Sequence, residues 1–471
     1  MVTALVAAPL AGALVLWAMP ASWRRWSRVV AAGAAGLSLA LAIYLCLAYD
    51  QRAGGVQFLA RGRWLPALGA AYLVGADGLS LPLVLLTASL LFAGVLLPGW
   101  PAEGGSGFPA LLLLQAAGVL GALVSFDLLL FLFFAGLAIL PVHLLSAGKE
   151  VCGTSGRRPV DRLACQGAPH LLAGLAVIAY GFLLLYFQTG MYTFDLLSIT
   201  KLGFDPAVQA RLFPLLALGF ALWLPAVPFH RWFPEVYAAA PGPAGLLQAG
   251  TVTKLGAYGM MRMALALFPE GARSWAPFLA AWSAVHLLYG AYLALGEPDP
   301  ERAVGCWSLS QAGLLFLGIA ALNGAGLAGA AFQMVSHGLA LGLLATATDR
   351  RLAVGPVRAR TWGSWVVALA AWGFPGFSPF VAQRLILTGA FRRFPVAAGL
   401  GATALFLAGL RLVGLAKDKA AAPNASASPP GSLAFLLFGA ALAAFGLWPG
   451  PLLGLIDSGL GPLLARVGGP P

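Results

Sequence analysis

Apolar runs of about twenty residues follow one another along almost the whole chain. Each run is long enough to cross the roughly 30 Å hydrocarbon layer of a membrane as a helix, whereas a membrane β-strand needs only about ten residues. Charged residues make up 9% of the 471-residue chain and hydrophobic residues 60%, while a soluble protein carries about 25% charged residues. The sequence therefore predicts an all-α polytopic membrane protein with about fourteen transmembrane helices.

We place the predicted spans to within a few residues. They cover residues 2–19, 29–48, 78–98, 108–125, 127–146, 169–189, 212–228, 242–266, 274–295, 303–322, 324–346, 362–392, 395–416 and 432–455. The predicted parts of the chain are the N-terminal helices 1–107 (spans one to three), a first repeat 108–266 (spans four to eight), a second, inverted repeat 267–416 (spans nine to thirteen), and a linker with the final helix 417–471.

The distribution of Lys and Arg predicts the orientation in the membrane. When the N-terminus is placed outside, sixteen Lys and Arg fall in the inner loops and ten, Arg262 among them, in the outer segments, as the positive-inside rule requires. Both termini are then predicted to lie outside. The net charge of +12 follows from this topology, and because no basic-aromatic module is present we expect no nucleic-acid partner.

Two apolar runs are interrupted by proline in similar surroundings. Pro225 lies in Leu-Pro-Ala-Val-Pro-Phe (224–229), and Pro375 lies in Phe-Pro-Gly-Phe-Ser-Pro-Phe (374–380). Proline lacks an amide proton and clashes with the preceding turn, so both helices should be discontinuous at these residues. Pro-interrupted helices in two inverted halves are typical of transport proteins. The alternative is that prolines are simply frequent, since the chain has 33 of them.

Lys254 and His337 are titratable residues that lie near the centres of two apolar runs. Lys254 is about twelve residues, roughly 18 Å, from each end of its span, so its side chain cannot reach the membrane surface. Burial favours a neutral lysine, and histidine titrates near neutrality, so the two side chains could exchange protons. We predict a Lys254–His337 proton relay through water. The alternative is that Lys254 binds backbone carbonyls at a helix break and His337 fills a polar core site.

Other polar residues have weaker claims to a proton path. Asp127 begins span five, and Gln311 and Gln383 lie in later spans. A glutamine can hydrogen-bond water but carries no charge. His230 and Glu235 are expected to anchor the bend that follows span seven rather than to move protons.

The four cysteines predict neither a metal site nor a redox centre. They form no CxxC motif, and Cys152 and Cys165 with His170 match no zinc spacing. No haem-attachment or iron–sulfur motif is present. We expect no cofactor, no metal and no catalytic redox centre in this chain.

A series of motifs runs through the chain at characteristic spacing: PFHRWFP (228–234), AP (240–241), KLGAYGMMR (254–262), DPER (299–302), SLSQAG (308–313), QMVSHG (333–338) and GFPG (373–376). The series resembles the antiporter-like subunits of respiratory complex I, the proton-pumping NADH–quinone oxidoreductase, and among them the M-type subunit (chain 4). The resemblance covers roughly residues 75–415. It implies a bacterial inner-membrane subunit that contributes to proton translocation coupled to quinone reduction. It also implies that other membrane subunits are its partners, and that NADH, FMN, iron–sulfur clusters and quinone bind elsewhere in the complex.

The chain departs from this family at residues of the proton path. Ala135 stands where the family has a membrane glutamate on span five, and Trp223 stands where it has a lysine on span seven. Gln311 replaces a histidine, and Gln383 takes the place of a glutamate on span twelve. The residues of the family path that remain are Lys254, His337 and Asp127.

Several functions are compatible with these departures. The first is a complex I-type subunit with an altered channel. The second keeps the fold in a related assembly, namely a membrane-bound hydrogenase, a cation/proton antiporter or an inorganic-carbon uptake system. The third is a spacer subunit that links active subunits and pumps nothing, which Ala135 and Trp223 favour. A stand-alone carrier is the last.

Overall fold

The computed structural model describes residues 1–97, 100, 106–151, 167–240, 242–348, 357–420 and 429–467. Its helices, numbered in chain order, are α1 (Val2–Ala18), α2 (Ser27–Ala48), α3 (Ser80–Leu96), α4 (Gly107–Val124), α5 (Leu128–Val151), α6 (Gly167–Thr189), α7 (Leu196–Ile199), α8 (Pro206–Trp223), α9 (Trp232–Ala239), α10 (Gly242–Leu247), α11 (Thr253–Gly259), α12 (Pro269–Gly296), α13 (Pro300–Ala320), α14 (Gly324–Thr348), α15 (Val357–Trp372), α16 (Ser378–Phe391), α17 (Pro395–Ala420), α18 (Pro429–Leu447) and α19 (Gly450–Val467). A π-helical turn at Gln248–Val252 joins α10 to α11, and a second one at Met260–Leu265 extends α11. We call the whole segment, residues 242–265, the lysine helix.

Helices occur at every place where a span is predicted, but they differ in length. Among the described residues, eight helices are long and apolar enough to cross a membrane unaided, or nine if the bent pair Leu433–Leu447 and Gly450–Val467 is one span. Others, such as Val2–Ala18 and Ser80–Leu96, are shorter. The polytopic helical fold is therefore confirmed, while the number of about fourteen crossings stays a prediction.

The first predicted break is present. α8 ends at Trp223 and α9 begins at Trp232, and Pro225 lies in the non-helical backbone between them. The imino nitrogens of Pro225 and Pro228 cannot donate to the preceding turn, so the helix cannot continue through this segment.

The second predicted break is also present. α15 ends at Trp372 and α16 begins at Ser378, with Pro375 between them. Gly373 and Gly376 have φ angles of 93° and 102°, which side chains with a Cβ rarely adopt. Local sequence therefore breaks this helix, while the inverted relation of the two repeats stays a prediction.

The segment between α2 and α3, which no predicted span covers, is not helical. Two strands, β1 (Gln57–Leu65) and β2 (Ala70–Ala76), form an antiparallel hairpin. Strands of nine and seven residues are too short to register as membrane-length apolar runs. The hairpin also bonds to the rest of the protein, since the Phe126 amide donates to the Leu73 carbonyl at 2.9 Å.

The final span is not the single helix predicted over residues 432–455. α18 ends at Leu447, α19 begins at Gly450, and the chain bends by 73° between them. Pro449 and Pro451 remove two backbone donors at this place, which explains the interruption. Part of the predicted linker, residues 421–428, lies outside the described residues.

Segments predicted to lie outside come together at one end of the helices, which we call the hairpin end. Arg61 of the hairpin pairs with Asp195, in the connection after α6, at 3.2 Å. Arg273, at the start of α12, donates to the carbonyl of Val467 at the end of α19 at 3.1 Å. Connections that alternate along the chain therefore meet on one side, as repeated membrane crossings require.

Segments predicted to lie inside meet at the opposite end. Arg302, in the first turn of α13, forms an ion pair with Glu235 of α9. Arg411 of α17 donates to the carbonyl of Glu297, the residue after α12, at 2.5 Å. We call this the opposite end.

Candidate proton-transfer site

Lys254 and His337 are in direct contact. The Lys254 Nζ atom lies 2.7 Å from His337 Nδ1, and each residue is 3% exposed. Lys254 belongs to α11 and His337 to α14, so the contact joins the two halves of the predicted repeat. Two protonation states fit this distance: an ammonium that donates to Nδ1, and a ring Nδ1–H that donates to a neutral amine.

The local backbone gives Lys254 a second partner. Its Nζ atom donates to the Ala249 carbonyl at 3.1 Å and to the Thr253 hydroxyl at 3.3 Å. Ala249 lies in the π-helical turn Gln248–Val252, and such turns disturb the regular hydrogen bonds of an α-helix. The two sequence interpretations of Lys254 thus coexist, because it binds a carbonyl at a helix irregularity and also a titratable partner.

The other ring nitrogen of His337 contacts a serine hydroxyl. His337 Nε2 lies 3.3 Å from the Ser308 hydroxyl of α13. That hydroxyl is also 2.9 Å from the Val304 carbonyl, one turn nearer the opposite end. A hydroxyl both donates and accepts, so Ser308 is chemically able to pass a proton to or from the ring.

Gln311 lies beside this group but does not contact the lysine in the described structure. Its side-chain oxygen accepts from the Gln333 amide at 2.8 Å. Gln333 precedes His337 by four residues, which places both on one face of α14. Sequence reasoning did not select Gln333, although this spacing could have indicated it.

The remaining predicted site residues lie in structural positions. Gln383 donates to the Trp372 carbonyl at 2.9 Å, so it bridges the break between α15 and α16. The Asp127 carboxylate caps α5 by accepting from the amides of Leu129 and Leu130 at 3.0 Å. It also accepts from the Ala71 amide of the hairpin at 2.9 Å. The part that either residue plays in proton transfer stays a prediction.

Aromatic side chains fill the region around Ala135, which is fully buried. The Trp223 ring lies 6.0 Å from Phe131 and 5.9 Å from Phe220. Its indole nitrogen donates to the Leu171 carbonyl at 2.9 Å. We call Phe131, Phe182, Phe220 and Trp223 the aromatic cluster. None of these four side chains ionises at ordinary pH, so the aromatic cluster itself cannot hold an exchangeable charge.

A buried ion pair lies toward the hairpin end of the lysine helix. The Arg262 guanidinium binds both oxygens of Asp77, and these side chains are 14% and 4% exposed. Its Nε atom donates to the Tyr258 hydroxyl at 3.3 Å. Arg262 is therefore not the outer-segment charge that the sequence predicts, and because Lys254, Tyr258 and Arg262 recur every four residues they share one helix face.

The described residues hold no cluster of three or more His, Cys, Asp or Glu side chains placed to bind a metal ion. Cys46 and Cys306 are free thiols in this part of the chain. Cys152 and Cys165 lie outside the described residues.

Two broken helices, with a buried lysine and histidine in contact between them, define a membrane protein of the antiporter-like kind. Residues 125–408 match the family described as NADH:quinone oxidoreductase/Mrp antiporter, TM. The match spans more than half of the chain, so the protein belongs to this family.

Named relatives and solved structures agree with this assignment. The NADH-quinone oxidoreductase subunit M of Mycobacterium tuberculosis (strain CDC 1551 / Oshkosh) is 29% identical over 98% of this chain and 93% of its own length. The NAD(P)H-quinone oxidoreductase chain 4 of Gloeobacter violaceus is 30% identical over 82% of this chain and 74% of its own length. A chain of respiratory complex I from Thermus thermophilus superposes with a TM-score of 0.86 at 26% identity, covering both chains completely. A chain of the Mrp complex from Dietzia sp. gives 0.81 at 22% identity over 99% of both chains, which shows the shared fold.

Proposed function

We propose that this chain is a membrane subunit of a complex I-type NADH–quinone oxidoreductase in a bacterial inner membrane, where it contributes to proton translocation coupled to quinone reduction. The 2.7 Å contact between Lys254 and His337 carries the proposal. The names of the relatives favour complex I over an Mrp antiporter or a hydrogenase. Other membrane subunits are the expected partners, and NADH, FMN, iron–sulfur clusters and quinone are expected in the partner subunits.

The relay works by moving one proton between two bases. When Lys254 is an ammonium, one of its protons points at His337 Nδ1 and can transfer to the ring. The ring can then release its Nε2 proton to the Ser308 hydroxyl, 3.3 Å away. Both residues are 3% exposed, so a charge on either is costly without a partner, and each residue supplies that partner to the other.

The spacer function remains the second candidate, and the aromatic cluster favours it. Ala135 and Trp223 occupy the two positions where the family carries a charged pair, and the Trp223 ring packs against Phe131 instead of a charged partner. A spacer would nevertheless gain nothing from a buried lysine, which costs at least a few kcal/mol at the membrane centre.

The decisive experiment compares proton pumping in the native complex, reconstituted in vesicles, with and without Lys254. Lys254→Met keeps the side-chain stem but removes the proton carrier, and Lys254→Arg keeps a charge that cannot be released. Both variants should assemble and pump fewer protons per electron. His337→Leu should give a similar loss, and the double variant should lose no more than either single variant because both groups act in one path. Equal proton-to-electron ratios in the wild-type, Lys254→Met and Lys254→Arg complexes would instead establish the spacer.

We also propose that the hairpin end faces the outside, together with both termini. The excess of Lys and Arg in the loops of the opposite end supports this orientation. A cysteine introduced at Arg52, in the connection before the hairpin, should react with an impermeant thiol reagent added to intact spheroplasts. One introduced at Glu301 should react only in inverted vesicles, and the reverse pattern would overturn the orientation.

A further inference from the structure

Glu235 has one oxygen in an ion pair and one oxygen without a partner. Its Oε1 atom binds Arg302 of α13. Its Oε2 atom is buried and, among the described residues, has no hydrogen-bond partner. The Glu235 side chain is 13% exposed, while that of Arg302 is 33% exposed. A buried carboxylate oxygen without a donor is costly unless water or a proton reaches it, so this atom has an unmet bonding requirement beside a partly open surface.

The backbone places Glu235 close to the serine that contacts His337. A Cβ on Gly305 would lie 2.7 Å from the Cα of Pro234, so α13 and α9 touch at the residue before Glu235. Ser308 follows Gly305 by three residues, or about 4.5 Å along the helix axis. The backbone beside Glu235 therefore lies about one helical turn from the level of Ser308.

Among the described residues, the titratable side chains that follow Lys254 toward the hairpin end of the lysine helix already have partners. Arg262 cannot release a proton, and its guanidinium binds both oxygens of Asp77. The Tyr258 hydroxyl donates to the Leu123 carbonyl at 2.8 Å and accepts from Arg262. These three side chains satisfy one another, and the Arg262 charge is paired with that of Asp77, so this group offers no unpaired acceptor to a mobile proton.

We propose that Glu235 is the proton-loading carboxylate of the opposite end and supplies the relay through Ser308. Resting on the relay proposed above, the step begins with a proton from water binding Glu235 Oε2. That proton passes through intervening water to the Ser308 oxygen, while Ser308 gives its own hydroxyl proton to His337 Nε2. The ring gives its Nδ1 proton to a neutral Lys254 amine. One proton has then entered at Glu235, one has arrived at Lys254, and Ser308 and His337 carry as many protons as before.

The test measures protons pumped per electron by the native complex in vesicles. Glu235→Gln should lower the ratio to the level of Lys254→Met, because the amide cannot be loaded, while Glu235→Asp should retain most of it. Formate, a small weak acid, should restore the ratio of the Glu235→Gln complex when added on the side of the opposite end. Glu270→Gln is the matched control: it breaks another Glu–Arg pair, at the hairpin end, and should leave the ratio unchanged.

Arg302→Gln separates loading from anchoring. If Glu235 serves only to hold α9 against α13, removing either member of the ion pair should have the same effect on the ratio, and formate should restore nothing. If Glu235 loads protons, Arg302→Gln should keep the ratio, because the carboxylate remains. A normal ratio in Glu235→Gln beside a lowered ratio in Lys254→Met would overturn the loading role alone. Normal ratios in both would overturn the relay itself.

Discussion

The ion pair between Asp77 and Arg262 should stabilise the protein in a way that a double-mutant cycle can measure. The two side chains are 4% and 14% exposed, so the pair is almost fully removed from solvent. Removing one member of a buried pair leaves an uncompensated charge, which costs roughly 3–5 kcal/mol. Removing both members eliminates that charge, and the remaining loss is that of ordinary hydrogen bonds at about 1 kcal/mol each.

The substitutions follow from the contacts. Asp77→Asn provides a side-chain oxygen that can still accept from the amides of Leu79 and Ser80, at 3.2 and 3.0 Å in the wild type, so these contacts at the start of α3 are preserved. Arg262→Met keeps a long side chain over the Phe126 ring, from which the guanidinium is 5.1 Å distant. We expect Arg262→Met alone to destabilise by roughly 3–5 kcal/mol, and the double variant to regain roughly 2 kcal/mol of this loss.

The assay is the thermal midpoint of the purified complex, with the amount of assembled subunit as a second measure. Glu270→Gln is the control, since its partner Arg273 forms an exposed ion pair, which contributes about 0–1 kcal/mol. The expected order of midpoints places the double variant above Arg262→Met and below the control. If the double variant lowers the midpoint by as much as the two single variants together, or by more, the two groups do not interact as described.

Two further predictions concern the first repeat. Ala135→Glu should place a buried carboxyl group without a cation among the rings of the aromatic cluster, so the amount of assembled subunit should fall. Adding Trp223→Lys should restore part of that amount. A normal level in the single variant would show that a cation already faces position 135. Asp127→Ala should remove the cap of α5 and the contact with the Ala71 amide, at a cost of about 1–2 kcal/mol. The hairpin of this variant should be more susceptible to limited proteolysis, whereas Asp127→Asn should resemble the wild type. Equal protection of the hairpin in the alanine and asparagine variants would contradict the capping role.

Much of the fold could be predicted because membrane spans are local features. Each helix satisfies its own backbone hydrogen bonds within about twenty residues, so hydrophobicity along the chain is enough to locate it. The breaks at Pro225 and Pro375 were predictable for the same reason, since proline disrupts its own helix whatever surrounds it. The hairpin was not predicted because its strands are shorter than a membrane span. The bend before α19 was not predicted because it interrupts an apolar run that is long enough to be a single span.

The candidate site was predictable only in part. The position of Lys254 in the middle of an apolar run is a property of the sequence, and so is its cost in a membrane. That its partner is His337 at 2.7 Å depends on how α11 and α14 pack. Arg262 illustrates the opposite error, because its sequence position near the end of a run suggested a loop charge, whereas the fold buries it against Asp77.

The sequence by itself thus determined that this protein is a bundle of membrane helices, where two of them break, and that a lysine lies in the membrane interior. Those properties depend on interactions between residues that are close along the chain. The tertiary structure decided which side chains meet: Lys254 with His337, Glu235 with Arg302, and Trp223 with Phe131. These contacts join residues more than fifty positions apart, and no local periodicity specifies them. Each depends on how closely two helices approach, which is set by the shapes of many neighbouring side chains and by the small residues between the helices.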